Sequence, residues 1–360
     1  MRVLVATDAI GTLRSAHAGA VIAQAWADAV AGTQVAVVPV GESGEGFLSA
    51  LADQVGADLQ VAGIETTLSL GVVAGPVVAV GLTPAVGTEE VDLAASSYVL
   101  GVAVRDALAA ASTPPETLVV DLGGLASHDG GAGLLAALGA TADVPLTAGA
   151  TGLARLSRLD LTAVRNLLGP TALVGIVPHD EVNRVLLGLR GITARLRTPG
   201  TDPALLLSTD ADLTTLARLT GPEGLACAGR PGAGAAGGAG FAVLALGGRL
   251  ATGTGYLGDQ VGFAGTLARS DLLVTGCTVF DFATRGGGVL AQLARRAETA
   301  LRPCIAIAGE VLIGGREMRT MGIEAAYPVW ASTLEQPDPV VVTGSELAEA
   351  AQRVARTWSW

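Results

Sequence analysis

Apolar runs alternate along this chain with alanine-rich stretches of helical spacing, and glycine clusters separate the two. Arg2 to Thr7 predicts a strand. Asp8 to Arg14 reads as a loop, and Ser15 to Ala31 predicts a helix with Ser15 as its N-cap. Thr33 to Pro39 predicts a second strand, which runs into the glycine-rich turn Val40 to Gly46; Phe47 to Val55 predicts the next helix. This β-α-β-α opening predicts a parallel, doubly wound sheet. From Leu59 to Leu93 the pattern changes to short valine-rich runs broken by Gly and Pro, a strand-rich region. Ser97 to Ala111 predicts a helix, Pro114 and Pro115 break the chain, and Leu118 to Val120 reads as a buried strand.

The stretch after that strand organises the rest. Asp121 to Gly133 reads Asp-Leu-Gly-Gly-Leu-Ala-Ser-His-Asp-Gly-Gly-Ala-Gly and opens into a helix at Leu134. A strand that turns through glycines into a helix is expected to point free backbone N–H groups at an anion above the turn. His128 and Asp129 are expected at the mouth of that turn. Leu173 to Val177 predicts another strand, ending at Pro178-His179-Asp180-Glu181, and Asp202 to Leu219 predicts a helix. Arg230 to Gly240 is a second glycine-rich stretch. It flows into an apolar helix over Phe241 to Leu246, so it reads as a loop packed close to something rather than a linker.

Further on, Asp271 to Val274, Cys304 to Ala308 and Ile323 to Val329 predict strands. Gly287 to Leu301 and Gly344 to Trp358 predict helices. Both chain ends are clean β/α alternations and the middle is less regular. The expected class is therefore α/β with two α/β domains. One is a Rossmann- or flavodoxin-like parallel sheet built from both chain ends, residues 1–62 and 270–360. The other, residues 63–269, is inserted and carries the glycine-rich turns.

Half of the 360 residues are hydrophobic but only 3% are aromatic, so the core must be built from Ala, Val, Leu and Ile. A net charge of −11 argues against nucleic acid and anionic lipid as partners. Every basic side chain apart from the histidines is arginine; the chain has no lysine. Any phosphate must be met by arginine, backbone N–H, hydroxyl or metal. Cys227, Cys277 and Cys304 form neither a disulfide framework nor a zinc pattern. With no signal-peptide layout at Met1 to Ala6, they point to the cytoplasm. The uncharged stretch Thr66 to Thr88 is long enough to span a membrane, but its glycines and prolines read as punctuation between strands.

On the residues alone, Asp129 reads as a helix cap or as a ligand contact. His128 and His179 read as substrate contacts or as surface or capping histidines. Cys277 reads as a thiolate-prone or a buried, inert cysteine, and Glu42 and Glu45 as first-turn acids complementing a helix dipole.

The order of the glycine turns resembles the bacterial glycerate kinase family, type I, nearly end to end. Thr7-Asp8-Ala9-Ile10 stands at that family's first loop. Pro39 to Gly46 stands where it reads Pro-Val-Ala-Asp-Gly-Gly-Glu-Gly. Gly123-Gly124 and Asp129 to Gly133 match its Gly-Gly-Ser-Ala-Thr-Asn-Asp-Gly-Gly-Ala-Gly. Asp180 and Asn183 match Cys-Asp-Val-x-Asn-Pro-Leu, Gly232 to Gly238 match Gly-Ala-Gly-Ala-Ala-Gly-Gly, and Thr275-Gly276 with Asp281 match Thr-Gly-Glu-Gly-x-x-Asp.

The resemblance implies phosphorylation of glycerate, or a similar small hydroxy acid, by ATP with magnesium, in a cleft between two α/β domains. It implies catalytic roles for Asp8, Glu45, Asp129, Asp180 and Asp281, with Asp180 and Asp281 as magnesium ligands. It implies substrate or nucleotide contacts at Arg14, Gly123, Gly124, His128, Gly130, Gly131, Asn183, Gly237 and Gly238. The departures are as informative. The family's first-loop lysine falls at Gly11, its Glu after Thr-Gly at Cys277, and the lysine opening the next helix at Gly288. Its Asp-Gly pair falls at Glu42 and Ser43, and Arg190 to Arg197 replaces its Phe-Gly-Pro-Gln-Lys-Gly-Ala loop. Arg14 and Arg285 are the nearest cations to the lost lysines. Three functions therefore stand at this point: an active kinase, a catalytically silent member that binds a nucleotide or small acid as sensor or interaction protein, and a structural protein without ligand. The retained acids favour the first two; the missing lysines and the lost Glu favour the second over the first.

Overall fold

The computed structural model describes residues 1–64, 67–83, 92–197, 201–330 and 341–359, with the Arg285 side chain outside the described set, as is part of the Thr66 to Thr88 stretch. In chain order the strands are β1 (Arg2–Val5), β2 (Gln34–Val37), β3 (Gln60–Ile64), β4 (Thr67–Ala74), β5 (Val77–Leu82), β6 (Thr117–Asp121), β7 (Thr141–Ala142), β8 (Leu159–Asp160), β9 (Ala172–Ile176), β10 (Arg249–Ala251), β11 (Leu272–Phe280), β12 (Cys304–Val311) and β13 (Ala325–Pro328). The chain divides into two compact units. The first holds Met1–Glu42, Ser49–Gly56 and Gly253–Trp360; the second holds Ser43–Leu48 and Ala57–Thr252.

The first unit carries an all-parallel sheet in the order β13-β12-β11-β1-β2. Alternate residues of each strand face opposite helical layers. Val3 and Val5 pack with Ile22, Trp26, Leu347 and Val354, from helices Ser15–Ala29 and Gly344–Thr357. Leu4 and Ala6 pack with Phe263, Leu267, Val289 and Leu293, from helices Phe263–Ala268 and Gly288–Thr299. A parallel sheet covered on both faces needs apolar side chains in both directions, which is why its strands read as unbroken hydrophobic runs. Helices Gly253–Gln260 and Phe263–Ala268 belong to this unit, so the chain returns to it earlier than position 270. Phe263 and Leu267, both buried, fill the second face of the sheet.

The second unit carries a mixed sheet, β10-β9-β6-β5-β4-β3. β10, β9, β6 and β5 run parallel, and β5-β4-β3 continue as an antiparallel meander ending in the exposed edge strand β3. Its core gathers Val78, Val80, Leu118, Val120, Leu134, Leu135, Leu213, Leu216 and Phe241. Among the described residues no helix is long and apolar enough to cross a membrane.

Two local expectations are corrected. Ser15 does not cap its helix; Arg14 takes the N-cap position. The Ser15 hydroxyl instead donates to the Thr7 carbonyl (2.7 Å) and accepts from the Val40 amide (2.9 Å), tying the loops that follow β1 and β2. β11 does not stop at Val274 but runs through Thr275, Gly276 and Cys277 to Phe280, because β12 pairs with it as far as Val311.

Candidate functional site

In the second unit, β6 ends on Asp121, which is fully buried. Its carboxylate accepts from the Ser43 hydroxyl, the Gly44 amide and the Gly123 amide (2.9 Å). Burial pushes its pKa up to about 6 against the pull of those donors. A Cβ on Gly123 would run into the Ser43 hydroxyl, so this glycine serves close packing.

Asp129 lies inside the turn rather than at its mouth, with no solvent exposure. Its Oδ2 accepts from the Ser97 amide (2.8 Å), the Ser97 hydroxyl (2.9 Å), the Gly133 amide (3.0 Å) and the Ser96 hydroxyl (3.2 Å). Its Oδ1 accepts from the Gly131 amide (2.9 Å). The Ser97 hydroxyl in turn accepts from the Leu134 amide (2.9 Å). Burial raises the Asp129 pKa above its ordinary value, opposed by these donors. The helix over Ala132–Ala137 thus has its first amides satisfied by protein groups, and the expected free N–H groups are not free.

The second glycine stretch packs on this turn. Gly130 N–H donates to the Gly237 carbonyl (3.0 Å). A Cβ on Gly237 would collide with the Ser127 carbonyl, and one on Gly238 with the Gly130 Cα. Gly124, Gly130, Gly131, Gly237 and Gly238 all have positive φ, which side-chain-bearing residues rarely adopt. Ala236 is left-handed as well (φ 50°), and both of its peptide groups are held: its amide donates to Glu181 Oε2 (2.6 Å) and its carbonyl accepts from the Ser127 hydroxyl (2.8 Å).

Beside these loops, in the same unit, is a pocket of about 110 Å³ lined by residues that include Ser127, His128, Glu181, Arg184, Arg195 and Gly237. His128 is buried; its Nε2 lies 3.2 Å from Thr193 Oγ1, and burial lowers its pKa to about 4, leaving the ring neutral at pH 7. Arg184 donates to Glu181 Oε1. Asp180 and Asn183, at the neighbouring turn His179–Glu181 and just beyond it, are exposed.

In the first unit, the Asp8 loop is pinned to β11 by Thr278, whose hydroxyl accepts from the Gly11 amide (3.0 Å) and donates to the Ala9 carbonyl (3.2 Å). Gly11 has φ +60°, and a Cβ there would come within 2.6 Å of the Val342 amide nitrogen. A lysine at this position would be strained. Asp8 Oδ1 accepts from the Ala9 amide (2.8 Å), and burial raises its pKa. Asp281 Oδ1 accepts from the Thr284 amide (3.1 Å) and hydroxyl (3.2 Å). Among the described residues the Oδ2 atoms of Asp8 and Asp281 carry no hydrogen bond. Cys277 feels both acids: burial, then the charges of Asp8 and Asp281, push its thiol up to about 12. The thiolate alternative is therefore excluded at neutral pH; Cys277 Sγ donates to the Val279 carbonyl (3.3 Å). Glu42 accepts from the Thr254 hydroxyl (2.8 Å) and the Gln292 side-chain amide, so it ties its turn to the helices Gly253–Gln260 and Gly288–Thr299.

The model of the glycerate kinase family matches residues 3–359. The chain belongs to that family. An uncharacterized protein of Mycobacterium tuberculosis is 33% identical over 347 residues, 91% of this chain and 84% of the relative. A glycerate kinase of Bacillus cereus is 30% identical over 252 residues (68% of this chain, 65% of the relative), and one of Halalkalibacterium halodurans 27% over 345 (90% and 89%). The crystal structure of a putative glycerate kinase 2 from Salmonella typhimurium shares the fold, with a TM-score of 0.78 at 23% identity, covering 99% of this chain and 98% of that one.

Within the glycerate kinase pattern, the structure sorts the expected site residues. In the second unit the turn glycines, His128 and Asp129 are brought together, but as a packed scaffold. In the first, the charges of Asp8 and Asp281 both act on Cys277. Arg14 and Glu45 are exposed at the starts of their helices. Asp121, Ser97, Ser127, Glu181 and Arg184 are not among the site residues that the sequence pattern indicates. Asp121 stood inside the glycine motif, and Glu181 stood next to the motif residue Asp180; position beside a motif was the only signal. Among the described residues no group of three or more His, Cys, Asp or Glu could hold a metal.

Proposed function

We propose that this protein transfers a phosphoryl group from ATP to a hydroxyl of glycerate or a similar small hydroxy acid. The observation that carries this reading is the pair Asp8 and Asp281. The charges of both act on the Cys277 thiol, and among the described residues the Oδ2 atom of each carries no hydrogen bond. One or two carboxylates plus phosphate oxygens is the donor set magnesium takes, so these residues fit a magnesium ion carried by the nucleotide. Bound there, the ion would neutralise charge on the phosphates, a need made sharper by a chain without lysine. Asp129 acts by holding the glycine turn in place. Asp180, Asn183 and Glu45, exposed at turn and helix starts, remain available to substrate. Three free cysteines suit a reducing compartment, and we place the activity in the cytoplasm.

Thermal unfolding with and without MgATP, ADP and D-glycerate tests the reading. Ligand at a hundred times its Kd adds about 2.7 kcal/mol. A shift with MgATP followed by glycerate-dependent ADP release supports phosphotransfer; a folded protein with no nucleotide shift counts against it. One observation favours a second reading, a ligand-binding member without turnover. A neutral thiol, Cys277, stands where the family carries a glutamate. A nucleotide shift without ADP release is the outcome that reading expects.

A further inference from the structure

Glu181 has both oxygens engaged, one by Arg184 and the other by the amide of the left-handed residue Ala236. The ion pair is mostly buried, its side chains 17% and 15% exposed. This fixes the Arg184 guanidinium against a backbone turn that is itself locked by Ser127 and Gly130. Arg184 Nε is buried and, among the described residues, has no acceptor. A buried guanidinium N–H without a partner is costly, and such groups are normally satisfied by protein, water or ligand. Arg184 lines the pocket, as does the exposed Arg195. With His128 neutral, two guanidinium groups against one carboxylate leave the lining net positive in a chain of charge −11. The volume, about 110 Å³, is room for only three or four waters and far below that of a pocket for a nucleotide.

We propose that this pocket seats the carboxylate of the hydroxy acid, with Arg184 as its recognition group, Arg195 as a second cation at the pocket and Glu181 as the residue that positions Arg184. The planar guanidinium offers parallel N–H groups that match a carboxylate. The proposal rests on the phosphotransfer reading for the identity of the acid, while a phosphate would satisfy the same donors.

The test measures binding of D-glycerate and, separately, MgATP to the full chain by calorimetry, together with both KM values from ADP release. Arg184→Gln should weaken D-glycerate roughly 10- to 100-fold, the worth of a charge-assisted pair, and leave MgATP within about twofold. Glu181→Gln should raise the glycerate KM less and kcat hardly at all, and Glu181→Asp should recover part of the loss. Unchanged glycerate affinity in Arg184→Gln overturns the proposal, as does a loss confined to MgATP, which would mark a phosphate seat. If Arg184→Gln fails to fold, exposed Arg195→Gln decides: a loss of roughly threefold or more in glycerate affinity supports the seat, and none overturns it. Wild-type protein that binds D-glycerate but releases no ADP sinks phosphotransfer; the seat then stands or falls on whether Arg184→Gln loses that binding. An active wild type whose glycerate KM ignores Arg184→Gln sinks the seat and leaves phosphotransfer intact. Wild type that binds neither ligand overturns both.

Discussion

Asp129 in the second unit and Asp281 in the first each follow a parallel strand and precede a helix through glycines. They differ in what touches their oxygens. Asp129 is sealed, with five donors from Ser96, Ser97, Gly131 and Gly133 around it. Asp281 is half-buried and, among the described residues, engaged only through Oδ1 by Thr284, and Asp8 only through Oδ1 by Ala9. A carboxylate whose acceptors are filled by its own chain builds a scaffold; one with an open oxygen can meet a ligand. Motif position does not separate the two.

The largest test of this contrast is Asp129→Ala, which leaves five donors without that acceptor, four of them buried. A stability loss of roughly 4 kcal/mol or more is expected in urea unfolding. A variant of native stability that has lost ligand binding would reverse the assignment.

Next in size is pH. Asp121 is raised from 3.8 to about 6, so its stabilising share is complete below pH 3.8 and lost as pH rises through 6. His128 is lowered from 6.5 to about 4, so its share is complete above pH 6.5 and lost as pH falls through 4. Each share is roughly 3 kcal/mol, and the two slopes oppose each other between pH 4 and 6. The wild-type urea midpoint should gain little net slope from this pair, whereas Asp121→Asn should show a midpoint that climbs with pH. A wild type that already climbs as steeply would mean Asp121 ionises normally.

Asp281→Asn should slow ADP release roughly a hundredfold with the melting temperature barely moved, the mirror image of Asp129→Ala. Equal damage to stability and rate would erase the distinction between the two acids. The smallest effect concerns Cys277. With its pKa at about 12, roughly one thiol in ten thousand is ionised at pH 8. Iodoacetamide should therefore modify Cys277 far more slowly in the folded protein than in urea, as read by mass spectrometry.

The layered fold was legible because a sheet buried on both faces writes itself as unbroken apolar runs, as Leu272 to Val274 do. Ser15 departs from its expected cap role: a serine ahead of a helical stretch is a good cap, and nothing local shows the Thr7 carbonyl and Val40 amide competing for its hydroxyl. For Asp129 the sequence leaves helix cap and ligand contact both open, because its Ser96 and Ser97 partners stand thirty-odd residues upstream and nothing local shows them. Glu181 is hidden beside Asp180 in the sequence for a similar reason. Two adjacent acids on one turn point different ways, and only the partner, Ala236, tells which is turned inward.

The contact of Gly237 and Gly238 with Ser127 and Gly130 has a consequence for how such a protein can change. Where main chain rests on main chain, neither loop can accept a side chain without displacing the other, so the two segments can vary only together. The floor beside the pocket is thus closed to gradual mutation. A new substrate preference, evolved or engineered, has to be written in the surrounding side chains, Arg184, Ile192 and Arg195.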